Sequence, residues 1–150
     1  MRAAIALALD KMTAREGGPF GALIVKDGTI IGRGWNRVTA TNDPTAHAEI
    51  VAIRDACRQV ADFSLAGCQL FVNCEPCPMC LAAAYWAGIT TIYYAADRKD
   101  AAAIGFADDH IYEELSLPLA RRNLPMVQLL RQEALPAFAA WEAMGDKIPY

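Results

Sequence analysis

Residues 45–49 read Thr-Ala-His-Ala-Glu, and residues 75–80 read Glu-Pro-Cys-Pro-Met-Cys. Imidazole and thiolate are ligands that zinc prefers, and a catalytic zinc site uses three protein ligands with the fourth position left for water. His47, Cys77 and Cys80 supply such a set. The two fragments therefore predict a catalytic site with Zn²⁺ as the cofactor.

The second fragment is typical of a helix start. Pro78 suits the first helical position, and the spacing of Cys77 and Cys80 places both sulfurs on one face of the first turn. The N-terminus of a helix carries partial positive charge, which lowers the pKa of a nearby thiol, and the thiolate is the form that binds metal. Two thiolate ligands are therefore expected there.

The first fragment also indicates the start of a helix. His47 and Glu49 are two residues apart, so they would face opposite sides of a regular helix and can share a site only in its first turn. Pro44 and Thr45 mark such a start. Since the three ligands are already assigned, Glu49 is predicted to move protons between a metal-activated water and a substrate.

A structural zinc site is the competing interpretation. It would need a fourth ligand, and Cys74 is the only candidate nearby. Cys74 ends a predicted strand and would point away from ligands at a helix start. A binding module that retains zinc for structure alone has no use for the carboxylate of Glu49, so the sequence favours an enzyme.

Composition is that of a compact enzyme. The chain has 150 residues, of which 55% are hydrophobic, so we expect residues 1–150 to form one domain. The 14 basic and 17 acidic residues give a net charge of −3, which does not favour nucleic acid as a partner. No apolar run approaches the roughly 20 residues of a membrane span, so no membrane partner is expected. Five cysteines, an odd number, argue against a disulfide framework and predict a cytoplasmic protein.

Hydrophobic periodicity predicts alternating strands and helices, which is the pattern of a layered α/β domain. Asp27-Gly28 is a strong signal for a tight turn between the first two strands. The residues between the second strand and the second helix, 36–43, are rich in Asn and Thr and are expected to form a loop. The predicted helices are 3–15, 47–60, 78–86, 101–106, 111–115 and 134–144, and the predicted strands are 20–25, 29–34, 69–73, 90–95 and 125–130.

The pattern H-x-E followed by P-C-x-x-C is the signature of zinc deaminases. Further segments extend the likeness over nearly the whole chain from Gly17 onwards, and with them the sequence resembles the bacterial guanine deaminases of the cytidine-deaminase-like fold. These segments are Gly18-Pro19-Phe20-Gly21-Ala22, Asn36, residues 42–49, residues 74–80, Tyr85-Trp86 and Pro149-Tyr150.

The resemblance implies a three-layer α/β fold in which helices sandwich a mixed five-stranded sheet. It implies hydrolysis of guanine, a small purine, to xanthine and ammonia. It also implies a homodimer whose C-terminal tail is exchanged between subunits by domain swapping.

The resemblance further implies the residues that bind the purine. Asn36, Asp108 and Tyr150 are expected to recognise the base, while Phe20 and Trp86 are expected to form walls of the pocket. Tyr150 would reach the site from the swapped tail of the partner subunit. Asp109, which is adjacent to Asp108, is the alternative for the acidic residue.

Other substrates carry the same zinc signature. Cytosine, guanosine and aminotriazines are alternatives to guanine, because the sequence does not fix the volume of the pocket. Editing of adenosine in tRNA is less favoured, since binding a polynucleotide needs positive charge to follow the phosphates and the net charge here is −3.

Overall fold

The structure of the protein is a computed structural model that describes residues 1–149. The chain divides into two compact units, Met1–His110 and Ile111–Tyr150. These units do not test the prediction of a single domain, which stays a prediction. The role predicted for Tyr150 lies outside the described residues.

The helices and strands follow the predicted order along most of the chain. The helices are α1 (Arg2–Thr13), α2 (Val38–Thr41), α3 (Ala48–Val60), α4 (Pro78–Trp86), α5 (Arg98–Ala103), α6 (Asp109–Ser116) and α7 (Arg131–Ala143), with a 3₁₀ helix at Leu119–Arg121. The strands are β1 (Gly21–Lys26), β2 (Thr29–Trp35), β3 (Gln69–Cys74) and β4 (Thr91–Ala96).

The first unit contains a mixed sheet with the strand order β2-β1-β3-β4. β1 pairs antiparallel with β2 and with β3, whereas β3 pairs parallel with β4. The predicted hairpin between β1 and β2 is confirmed, because both Asp27 and Gly28 adopt the positive φ that a tight hairpin turn requires.

Helices cover both faces of this sheet. Gly21 lies against Ala4 and Ala8 of α1, and Gly34 lies against α3. Gly21 pairs with Trp35, the neighbour of Gly34, and successive residues of a strand face opposite sides. α1 and α3 therefore pack on opposite faces, and the predicted layered α/β architecture is confirmed.

Small residues bring α3 unusually close to the sheet. A Cβ atom on Gly34 would lie 2.1 Å from the backbone oxygen of Ala48. Ala48, Ala52 and Ala56 form the matching face of α3 and belong to the buried core. Because α3 begins beside the predicted ligand His47, this close packing fixes the position of the first sequence fragment.

Three predicted segments differ from the structure. The helix predicted at 101–106 begins and ends three residues earlier, as α5 (Arg98–Ala103). The fifth strand predicted at 125–130 is wrong: the sheet of the described residues has four strands, and the residues of this segment are exposed and without regular structure. An apolar run favours a strand only where another strand supplies hydrogen bonds. The loop predicted at 36–43 contains the one-turn helix α2, which Asn42 closes in the left-handed conformation.

The second unit consists of the end of α6, the 3₁₀ helix and α7. None of its described residues is buried. Glu114 holds Asn123 through hydrogen bonds of 2.7 Å to both the backbone and the side-chain nitrogen. Within residues 1–149 we find no helix whose length and apolarity would let it cross a membrane.

Candidate metal centre and pocket

The candidate metal centre lies where two helices begin. His47 occupies the N-cap position of α3, and Cys77 occupies that of α4. An N-cap side chain commonly accepts a backbone hydrogen bond worth about 1 kcal/mol, but neither residue makes one. Both side chains are therefore available to a ligand, and both helix N-termini favour negative charge at this place.

His47, Cys77 and Cys80 can hold one metal ion. Their donor atoms all lie within 4.8 Å of one another. His47 Nδ1 is 3.5 Å from Cys77 Sγ, and a tetrahedral zinc ion with bonds of about 2.0 Å to nitrogen and about 2.3 Å to sulfur separates such donors by about 3.5 Å. One imidazole and two sulfurs suit zinc, so the donor set fits the predicted cofactor.

The side chains of this cluster influence one another's protonation. A hydrogen bond with Cys80, followed by one with His47, lowers the pKa of the Cys77 thiol to about 4. The same contact with Cys77, together with burial, raises the pKa of Cys80. The pKa of His47 is raised, chiefly by its hydrogen bond with Cys77. These contacts favour the thiolate form of Cys77, which is the form that binds metal.

Glu49 is a buried carboxyl group beside these ligands. It is 5% exposed, and burial raises its pKa to about 7. It is the second residue of α3, which confirms that His47 and Glu49 share the first turn of one helix. A carboxyl group whose pKa lies near neutrality can both accept and donate a proton under ordinary conditions.

A cavity of about 410 Å³ opens beside the metal cluster. Its volume falls within the roughly 300–1,000 Å³ of small-molecule sites. His47, Glu49 and Cys77 line it together with Phe20 and Asn36, and Asp108 completes the set of predicted residues at its wall. The structure therefore brings six of the predicted site residues to one cavity.

Asn36 and Glu49 are the buried polar or charged residues among those that the structure describes. Asn36 directly follows β2, and its Oδ1 accepts a hydrogen bond of 3.3 Å from the Val38 backbone. Buried polar groups are costly unless they are paired. Two buried polar side chains at the wall of one cavity can contact a polar ligand there.

Two of the predicted contacts lie elsewhere. Trp86 is the last residue of α4, is 72% exposed, and is not among the described residues that line the cavity. Asp109 begins α6 and likewise does not line the cavity, whereas its neighbour Asp108 does. The geometry thus favours Asp108 over the alternative, Asp109, as the acidic residue at the pocket.

Sequence reasoning missed several lining residues. Phe106 packs edge to face against Phe20, with ring centroids 4.8 Å apart. Cys74 and Glu75 also line the cavity, because β3 ends there. Glu75 lies inside the quoted second fragment, so its proximity could have been predicted. Phe106 could not, since only the folded chain brings it to Phe20.

Comparison with known proteins agrees with the site geometry. Residues 1–96 match the family model described as the cytidine and deoxycytidylate deaminase zinc-binding region. The chain is 48% identical over 150 residues to the guanine deaminase of Bacillus subtilis, covering 100% of this chain and 96% of that protein. The crystal structure of guanine deaminase from Bacillus subtilis superposes with a TM-score of 0.96 and covers 99% of this chain and 95% of the other.

More distant relatives match only part of the chain. A tRNA-specific adenosine deaminase of Agrobacterium fabrum is 44% identical over 90 residues, which are 60% of this chain and 59% of that protein. A guanine deaminase structure from Nitrosomonas europaea has 33% identity and a TM-score of 0.67, and the match covers 71% of this chain and 62% of the other. The Bacillus subtilis protein, which is matched over 96% of its length, is a guanine deaminase.

Proposed function

The chain belongs to the cytidine and deoxycytidylate deaminase zinc-binding family, and on that premise we propose that it is a zinc-dependent guanine deaminase. It hydrolyses guanine to xanthine and ammonia. The single observation that supports this most strongly is the cavity in which Glu49, nearly fully buried, lies beside a His-Cys-Cys cluster. The 48% identity to a guanine deaminase over the whole chain supports guanine as the substrate.

His47, Cys77 and Cys80 would hold the zinc ion. When bound in such a site, zinc lowers the pKa of water to about 7 and so supplies a nucleophile at neutral pH. The chain contributes the rest: the three ligands fix the position of the ion on two helix N-termini, and the apolar walls of the cavity, Phe20 among them, exclude bulk water from the reacting atoms.

Glu49 carries the protons of the reaction. Water adds to the amino-bearing carbon of guanine, and Glu49 takes a proton from that water and delivers it to the neighbouring ring nitrogen. Glu49 then takes the second proton of the water and delivers it to the departing amine, which leaves as ammonia. Burial, which raises the pKa of the Glu49 carboxyl group, favours uptake of a proton from water by this residue.

Asn36 and Asp108 recognise the base in this proposal. An amide offers both a donor and an acceptor, whereas a carboxylate accepts from N–H groups. Guanine presents several N–H groups and a carbonyl oxygen, so the two side chains match it. Asp108 is partly buried, and this burial raises the pKa of its carboxyl group.

Replacing Asp108 with alanine is expected to lower guanine turnover strongly without changing the zinc content. An N–H group of guanine would lose the Asp108 carboxylate as its hydrogen-bond acceptor, which would weaken binding by about 1–3 kcal/mol. Steady-state kinetics and metal analysis provide the measurement, and Asp10→Ala, which changes an exposed carboxyl group on α1, is the matched control. A silent Asp108→Ala together with a damaging Asp109→Ala would shift the recognition to Asp109.

The proposed activity is tested by a screen for ammonia release from purified protein. We expect guanine to be the best substrate among guanine, guanosine, cytosine, an aminotriazine and adenosine in tRNA. The tRNA substrate is included because tRNA-specific adenosine deaminases are among the relatives that match part of the chain. Turnover of adenosine in tRNA with none of guanine would contradict the proposal.

We also propose that the enzyme acts as a swapped dimer. The second unit buries none of its described residues although it is rich in apolar side chains, so it needs another surface to pack on. The exposed large apolar residues of this unit include Leu124, Val127, Leu129, Leu130, Phe138 and Ile148. Exchange between identical subunits costs little energy, and it would let Tyr150 complete a pocket of the partner subunit.

The swapped tail is tested by complementation. Deleting Tyr150 is expected to give a folded, zinc-loaded and nearly inactive protein, and Glu49→Ala is inactive for another reason. Coexpression of the two chains should restore activity, because the deleted chain keeps Glu49 and borrows Tyr150 from its partner. Purified mixed dimers that stay as inactive as both parents would rule out the shared site.

A reducing, cytoplasmic location is part of the same proposal. All five cysteines are free thiols, and three of them, Cys57, Cys68 and Cys74, lie outside the metal cluster. Unpaired thiols are typical of proteins in a reducing compartment.

A further inference from the structure

Arg98 is the first residue of α5 and does not line the cavity, yet it joins two segments that do. Its guanidinium group donates hydrogen bonds from Nε and Nη2 to Glu75 Oε1, and its backbone N–H donates to Glu75 Oε2 over 3.1 Å. Glu75 precedes the metal ligand Cys77 by two residues. Arg98 is therefore fixed to the segment that carries the metal centre.

The same guanidinium group faces the start of α6. Arg98 Nε lies 3.9 Å from Asp109 Oδ1, and Asp109 directly follows the cavity residue Asp108. The segment between α5 and α6, residues 104–108, thus ends beside the Arg98 guanidinium group. Gly105 in this segment has a φ of +94°, a conformation that glycine adopts without steric cost.

Arg98 also influences the charge of Asp108. Burial raises the pKa of Asp108 most strongly, Cys77 and Asp109 raise it further, and the positive charge of Arg98 lowers it. Arg98 and Glu75 are both partly buried, with side chains 36% and 19% exposed, so their pair is less screened by water than an open surface pair. Arg98 donates to the Glu75 carboxylate from two guanidinium nitrogens and from its backbone N–H. These bonds fix the orientation of the Arg98 side chain as well as its distance from Glu75.

We propose that Arg98 is a positioning residue for substrate recognition, which holds the Asp108 carboxylate in place by bracing the 104–108 segment against Glu75. This inference rests on the proposed function, since it assumes that Asp108 binds the purine. Arg98 acts through Asp108 and touches neither the substrate nor the metal.

The test is a double-mutant cycle on guanine turnover. Arg98→Ala is expected to lower kcat/KM about 10- to 100-fold, chiefly through KM, because a base contact formed equally in ground and transition states affects binding. In an Asp108→Ala background, Arg98→Ala should have almost no further effect, since the residue on which it acts is gone. Zinc should remain at about one ion per chain in every variant.

Two further variants sharpen the cycle. Arg98→Lys keeps the charge but loses the planar fork, and we expect it to recover part of the activity that Arg98→Ala loses. Arg98→Gln serves in the same cycle if Arg98→Ala does not fold. Arg58→Ala is the matched control, because Arg58 pairs with Asp55 over 3.2 Å on α3 and lies outside the cavity lining.

The outcomes separate this inference from the proposed function. If the wild-type protein does not deaminate guanine, the proposed function fails. If it does, but the effects of Arg98→Ala and Asp108→Ala simply add, Arg98 does not act through Asp108 and the inference is overturned. Loss of zinc in Arg98→Ala would overturn it as well, because Arg98 would then support the metal segment.

Discussion

Replacing Glu49 with glutamine or alanine is expected to reduce guanine deamination by at least about 10²-fold, on the scale of general acid and base catalysis, while about one zinc ion per chain remains. Glutamine keeps the volume of this buried side chain but cannot take a proton from water. Kinetics and metal analysis on the same preparations provide the measurement.

The control for this prediction is Glu133→Gln, which changes an exposed carboxyl group in the first turn of α7. It should leave both activity and zinc content unchanged. If zinc is lost together with activity in both Glu49 variants, Glu49 belongs to the ligand set, and the assignment of the proton transfers to it is wrong.

Replacing Cys77 with alanine is expected to remove metal and activity together. Only His47 and Cys80 would remain of the three ligands, whereas a catalytic zinc site needs three protein ligands. Metal content per chain, measured after dialysis, checks the first effect, and guanine turnover checks the second.

Cys57→Ala is the matched control, because Cys57 is a free thiol on α3 outside the cluster. It should keep its zinc and its activity. Full zinc content in Cys77→Ala would mean that another side chain completes the site, and Cys74 at the cavity wall would be the first to examine.

The candidate metal centre could be predicted from the sequence because its geometry is local. Pro78 occupies the first helical position of α4, as its fixed φ suggests, and Cys77 and Cys80 therefore share one helix start. His47 and Glu49 likewise fall in a single first turn. Only the contact between the two helix starts is non-local. It could be predicted because histidine and cysteine side chains are ligands that one zinc ion can bring together.

The predicted fifth strand failed for the opposite reason. Residues 125–130 have the apolar composition of a strand, but a strand also depends on a neighbour that is distant in sequence. Helix α2 was missed because Val38–Thr41 contains β-branched residues of modest helix propensity. Two hydrogen bonds stabilise that turn, because Thr41 donates to the Arg37 carbonyl oxygen from both its backbone N–H and its hydroxyl group. Asn42 then ends the turn in the left-handed conformation.

The pocket wall was partly predictable. Asn36 and Asp108 were named through resemblance to the family, and the structure places both at the cavity. Phe106 and Arg98 carry no signal in the sequence, because an aromatic and a basic residue are ordinary in their segments. Their contacts with Phe20 and Glu75 arise only when β3, α5 and the 104–108 segment come together.

The most direct test of the account is the conversion of guanine to xanthine by one preparation in three states: as purified, stripped of metal by a chelator, and reloaded with one equivalent of zinc. The account predicts turnover in the first state, its loss in the second and its recovery in the third, with xanthine and ammonia formed in equal amounts. Undiminished turnover by protein shown to contain no metal, or no turnover of guanine by the zinc-loaded protein, would contradict it.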